Sequence, residues 1–207
     1  IIDVHAHLHY AALDINPRAD WRYYANLAYG VTTSHDPSAP TQLVFAQSEM
    51  VEAGLIDGPR IFSTGFVLYG AEDEDKAVIE SLEDARAHVK RLKAQGAVSV
   101  KSYNQPRREQ RQWVIEAARE EGMLVVPEGG STLAWDLSMV LDGHTGIEHA
   151  MAVAPLYKDV ATLMGRSGTG YTPTLIVGYG GLWGENYWYQ HGNVWEHRRL
   201  GQFVPQE

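Results

Sequence analysis

The chain has 207 residues, 44% of them hydrophobic and 21% charged, enough to bury the core of one ordinary globular domain. Its formal charge of −9 argues against a nucleic-acid surface, which needs clustered Lys and Arg. It has no cysteine, which excludes disulfides, thiolate metal sites and cysteine nucleophiles, and no apolar run of membrane-spanning length.

In chain order, strand-like runs fall at Ile1–Val4, Val31–Ser34, Ile61–Leu68, Val98–Tyr103, Met123–Val126, Gly146–His149 and Tyr171–Ile176. Amphipathic stretches of helix length separate them. Pro40 opens one that runs through Met50 and Val51 and ends at Gly54. Leu82, Ala85, Val89 and Leu92 mark a second, closed by Gly96; Trp113, Ile115 and Ala118 mark a third, closed by Gly122. Ala71–Lys76 is acidic and reads as a surface loop. The basic run Arg107, Arg108 and Arg111, interleaved with Glu109 and Gln110, reads as a solvated helix start.

Strand and helix alternating in this way predict βαβ units and a parallel sheet. A doubly wound sheet would carry a Gly-rich phosphate loop after its first strand; here that place holds His5 and His7. The expectation is an α/β fold of the (β/α)8 barrel type, with its chemistry at the C-terminal strand ends and its count stopping after about strand seven. No boundary marks a second domain within 1–207. Because the chain begins at Ile1, inside a strand pattern and without Met, it is expected to be a piece of a longer protein, so a missing signal peptide says little about location.

The opening Ile1-Ile2-Asp3-Val4-His5-Ala6-His7 places two histidines at i, i+2 at a strand end. A strand has a side-chain period of two, so His5 and His7 leave one face beside Asp3 and can grip one metal ion. In Val98-Ser99-Val100-Lys101-Ser102-Tyr103, alternation turns Lys101 inward with Ser99 and Tyr103; the alternative is a lysine snorkelling out of the strand end. Further on come Pro127-Glu128-Gly129-Gly130 and Gly146-Ile147-Glu148-His149.

Asp-x-His-x-His on a first strand resembles the metal motif of the amidohydrolase superfamily. Ile147-Glu148-His149 is similar to the Ile-Glu-His segment of its imidazolonepropionase-like and prolidase-like members, and Asp142-Gly143 fits the helix end before that strand. The resemblance implies that His5, His7 and His149 bind a divalent metal, most readily zinc, as one or two ions, with Asp3 supporting them. It implies that Lys101 takes up CO2 to become a carbamate bridging two ions. The fifth strand departs from the pattern: the family has a histidine at its end, and this chain has Glu128. A carboxylate is a legitimate ligand, so Glu128 either substitutes or lies in the turn before a helix capped by Ser131. His144 precedes the sixth strand and is expected at the opposite end of the barrel. His35, Asp36 and Tyr103 are expected at the substrate pocket, as is the Thr172-Pro173-Thr174 turn, although Asp36-Pro37 also suits a turn. His88 reads as surface.

Such a ligand set implies hydrolysis of an amide, peptide or cyclic amide C–N bond through a metal-bound hydroxide. The alternatives are another reaction on the same barrel, and a non-catalytic metal-binding or scaffold module. The superfamily's proton-shuttling Asp on strand eight has no counterpart after Asp159, so this piece is expected to be inactive alone. The expected partners are a small-molecule or peptide substrate, with no nucleic acid and no membrane. Asn26–Thr33 and Gly122–Gly130 look most like a subgroup attached to a Tol-type β-propeller in exported bacterial proteins. That likeness implies a periplasmic or secreted protein with a fused propeller; the lack of Cys suits the cytoplasm equally. The aromatic residues Trp183, Tyr187, Trp188, Tyr189 and Trp195 are expected to cover an open sheet edge or to form an interface, a homo-oligomer included.

Overall fold

The computed structural model describes residues 1–8, 19–72, 76–130, 132–174 and 190–204. Strand and helix alternate along it: β1 (Ile2–Asp3), α1 (Trp21–Ala28), β2 (Thr33–Asp36), α2 (Thr41–Glu52), β3 (Arg60–Ser63), β4 (Val67–Tyr69), β5 (Lys76–Val78), α3 (Leu82–Ala94), β6 (Ser99–Lys101), α4 (Arg108–Glu120), β7 (Leu124–Val126), α5 (Leu133–Asp142), β8 (Gly146–Ile147), α6 (Lys158–Ser167) and β9 (Gly170–Tyr171). All strand pairs are parallel, and among the described residues a helix links the partners in every pair except β4–β5, which follow β3 directly.

The pairing runs in chain order: β1-β2-β3, β4-β5, β6-β7 and β8-β9. Thr145 N donates to Val125 O at 3.0 Å and ties the β7 pair to the β8 pair. Among the described residues these form four hydrogen-bonded sheets rather than one closed ring. Two contacts nonetheless bring the first elements to the last. The rings of His5 and His149 lie 5.2 Å apart, and the segment 190–204 returns to α1, where His197 Nδ1 is 3.0 Å from the Tyr29 hydroxyl.

The helices start and stop where local chemistry dictates. Ser81 caps α3 by accepting from Asp84 N at 3.1 Å, and Glu83 with Asp84 in the first turn and Arg91 with Lys93 in the last suit the helix dipole. Thr132, rather than Ser131, caps α5, while Ser131 itself lies outside the described residues; Gly143 closes that helix in the left-handed region. The main core lies between β4–β7 and the inner faces of α3 and α4, where Leu68, Ile79, Val89, Leu92, Val100, Val114, Ile115 and Val125 are buried together. A smaller cluster of Tyr23, Val44 and Ile61 supports β1–β3.

Several sequence expectations need correction. Ile61–Leu68 is two strands, because Gly65 turns the chain at φ +64, packed too close to Thr41 and Leu92 for a side chain. Lys76 belongs to β5, paired with β4, so the acidic segment leads into a strand. Arg111 is buried, with its Nε 2.6 Å from Asp142, because α5 packs over the start of α4. His88 is half-buried against Arg91. Leu175 and Ile176, and Trp183, Tyr187, Trp188 and Tyr189, lie outside the described residues; Trp195 is exposed. Among the described residues no helix is long and apolar enough to cross a membrane.

Candidate metal centre

The C-terminal ends of β1, β6, β7 and β8 converge on one group of side chains. β6 presents Lys101, which is completely buried, and β7 leads through Pro127 into Glu128. Lys101 Nζ lies 2.6 Å from Glu128 Oε2. His149, two residues beyond β8, places Nε2 2.6 Å from Glu128 Oε1. Gly129 makes this approach possible: its φ is +117, and a Cβ there would sit 3.1 Å from the His149 Cβ. Asp136, buried at the start of α5, accepts from Gly130 N and fixes the loop from below.

His5 arrives from the other side. The backbone bends at Val4 and His5, and Asp3 Oδ1 accepts from His5 N at 3.1 Å. Asp3 therefore shapes the bend that carries His5. His5, Glu128 and His149 can each offer one ligand atom, and these atoms lie within 4.8 Å of one another. His5 Nδ1 is buried with no hydrogen-bond partner among the described residues. A histidine that brings a ring nitrogen close to a carboxylate and a second imidazole, and whose buried Nδ1 has no hydrogen-bond partner among the described residues, is a fit for a divalent cation. Two imidazoles and one carboxylate are a donor set that zinc and similar ions take, with positions left for water or substrate.

Electrostatics prepare these groups for ligation. Burial, with Lys101 nearby, pushes His5 down to about 4, so its ring is neutral at pH 7. Burial alone would raise Glu128, but the hydrogen bond from His149 and the charge of Lys101 outweigh it and hold the carboxyl at about 2.

The other expected residues are distributed around this group. His7 is exposed; its ring centroid is 5.2 Å from that of His5, and its Nδ1 faces Asp36 Oδ1 at 3.4 Å. The hydrogen bond to Asp36 raises its pKa. Asp36 is buried and accepts from Leu8 N and Ser38 N, so it ties the β1 and β2 ends together and partners His7. His35 Nε2 lies 2.7 Å from Ser99 Oγ, and its Nδ1 meets Val4 O at 3.2 Å. Tyr103 does not continue the β6 alternation: at φ +50 it turns toward Tyr69, with Lys76 Nζ 5.1 Å over its ring. His144 bonds Ser102 Oγ at 2.7 Å and Met139 O at 3.0 Å, on the helix side of the sheet.

Three residues were not legible as parts of this site. Glu148 is buried beside Lys101 and Glu128; burial raises its carboxyl to about 8, and its Oε2 has no hydrogen-bond partner among the described residues. Asp136 and Thr174, the latter 2.9 Å from His149 Nδ1 through its hydroxyl, complete the surroundings. Glu148 carried a signal, a glutamate next to a candidate ligand; Asp136 and Thr174 act through folded geometry only.

No family model matches the chain, and no curated protein matches it. Solved structures do. An amidohydrolase structure is 19% identical, with a TM-score of 0.66 over 84% of this chain and 52% of its own. A Xaa-Pro dipeptidase with methionine bound in its active site is 19% identical, with a TM-score of 0.65 over 84% of this chain and 52% of its own. The chain shares its fold with these two structures over that span. The ochratoxinase of A. niger, 15% identical, matches with a TM-score of 0.65 over 98% of this chain and 57% of its own. The chain thus spans about half the length of the solved structures it matches.

Proposed function

We propose that this chain is the metal-binding part of a metal-dependent hydrolase that cleaves an amide or peptide C–N bond, built on a (β/α)8 amidohydrolase barrel. The observation that carries this reading is the convergence of His5, Glu128 and His149 at the strand ends, with Lys101 buried behind them. The likeness of the fold to hydrolases of amide and peptide bonds supports it at the same level. The contact between His5 and His149 supports a strand array that curls toward closure.

A divalent ion held by these residues would polarise the scissile carbonyl and activate water. The chain's own groups prepare that chemistry. Glu128 stays ionised, His5 keeps its lone pair free, and Lys101 holds Glu128 in place by a 2.6 Å ion pair. In this reading Glu128, just past β7, stands in for the histidine that the resemblance implies at this strand end. In this arrangement Lys101 serves as a counter-charge and the centre takes one ion, zinc being the natural choice for the donor set.

A second reading is favoured by the closeness of the His7 and His5 rings. In it a carboxylated Lys101 and His7 would join His5, Glu128 and His149 in holding two ions. Intact-mass measurement separates the two, since carboxylation adds one CO2.

The function is tested by assaying the whole hydrolase of which this chain is the proposed metal-binding part against a panel of dipeptides and N-acyl amino acids, before and after chelation. The reading expects hydrolysis that falls on chelation and returns with zinc, and no turnover by residues 1–207 alone. Hydrolysis untouched by chelation would contradict it, as would the absence of turnover in the whole hydrolase when it holds its metal.

A further inference from the structure

Thr174 makes two hydrogen bonds that together fix where His149 carries its ring proton. Its Oγ1 lies 3.0 Å from the carbonyl oxygen of Glu148 and 2.9 Å from His149 Nδ1. A hydroxyl has one proton to give, and a carbonyl can only accept. The proton therefore goes to Glu148 O, and Oγ1 must accept from an Nδ1–H. With its proton on Nδ1, His149 turns Nε2 toward Glu128 Oε1, 2.6 Å away. Nε2 and a carboxylate oxygen are both acceptors unless something positive stands between them. That positive group is either a second ring proton or a metal ion.

The position of Thr174 is itself determined by the sheet. β8 and β9 pair with Ile147 opposite Tyr171, and Thr172 N donates to Ile147 O at 2.9 Å. This extends the pairing past the end of β9 and sets Thr174 alongside Glu148 and His149. An alanine or valine there would fill the space without supplying an acceptor for Nδ1–H.

We infer that Thr174 is a positioning residue for the metal centre: it holds His149 in the Nδ1–H form and aims Nε2 at the ion shared with Glu128 and His5. The inference rests on the proposed metal centre. Groups that anchor the far nitrogen of a ligating histidine usually contribute about 10–100-fold to metal affinity.

The test compares the protein with its Thr174→Val and Thr174→Ser variants, using zinc alone and a chromophoric chelator as competitor. Thr174→Val is expected to bind zinc about 10–100-fold more weakly. Thr174→Ser, which restores the hydroxyl, is expected to stay within a few-fold of the parent, with thermal midpoints of both variants unchanged. Equal zinc affinity in Thr174→Val would overturn the inference. Ring-nitrogen NMR separates this from failure of the centre itself. In the zinc-bound protein His149 should carry its proton on Nδ1, and a proton on Nε2 would overturn the inference. If the parent binds no zinc, the proposed centre fails. Orientation by Thr174 then stands only if metal-free His149 shows a hydrogen-bonded Nδ1–H that Thr174→Val loses.

Discussion

The two sides of the candidate centre are built differently. On the side of β6, β7 and β8, every candidate ligand is held by a named partner. Lys101 and His149 both grip Glu128, Thr174 anchors His149, and Asp136 secures the glycine loop between them. The largest buried cluster among the described residues lies behind β6 and β7. On the side of β1, the strand is two residues long, Ile1 and Ile2 are exposed, His7 is exposed, and His5 Nδ1 has no hydrogen-bond partner among the described residues. One side is preorganised, and the other offers ligands whose final positions an ion would fix. A centre of this kind binds with an affinity set mainly by the rigid side, because the loose side spends part of its interaction energy on ordering.

The contrast can be broken most forcefully in the core. Leu92→Ala, in the cluster behind β6 and β7, is expected to cost about 2–5 kcal/mol in chemical denaturation. Ile2→Ala on the exposed β1 is expected to change stability by less than about 0.5 kcal/mol. Equal losses would mean that β1 is packed as firmly as β6.

A pH series sharpens the same contrast. Burial behind the sheet lowers the His144 pKa from 6.5 to about 4. The folded state therefore favours the neutral ring more than the unfolded state does. Its contribution is fully present above about pH 6.5 and is lost as pH falls through about 4, an effect on the order of 3 kcal/mol. In the metal-free protein, His144→Gln should lack that part of the acid destabilisation. Parallel stability curves for the two proteins between pH 7 and 4 would argue against a neutral, buried His144.

The smallest effects separate ligands from neighbours. Glu128→Gln should lower zinc affinity by more than about 100-fold, because it removes both a ligand charge and the partner of Lys101 and His149. His7→Ala should cost only about a few-fold, since His7 faces Asp36 and solvent. A His7 effect as large as that of Glu128 would favour the two-ion arrangement.

The sequence made the fold legible because periodicity and glycine stops report local structure directly. The helix from Leu82 and the glycine stop at Gly143 lie where the pattern put them. The split at Gly65 was hidden, because an apolar run looks alike whether it is one strand or two. At the site, His5, Glu128 and His149 were legible from strand-end position and from resemblance, and the structure brings them together. The partnership of Lys101 with Glu128 was not, since it depends on how adjacent strands stagger. Thr174 was named only as a pocket wall, for its hydroxyl means something only once β8 and β9 are paired.

The central claim is that His5, Glu128 and His149 hold a divalent ion together. Its most direct test is zinc content per chain after equilibrium dialysis, for the protein and for its His149→Ala variant. The account predicts close to one tightly held equivalent in the protein and loss of that equivalent in the variant. No bound zinc in the folded protein, or retention of the full equivalent by His149→Ala, would contradict it.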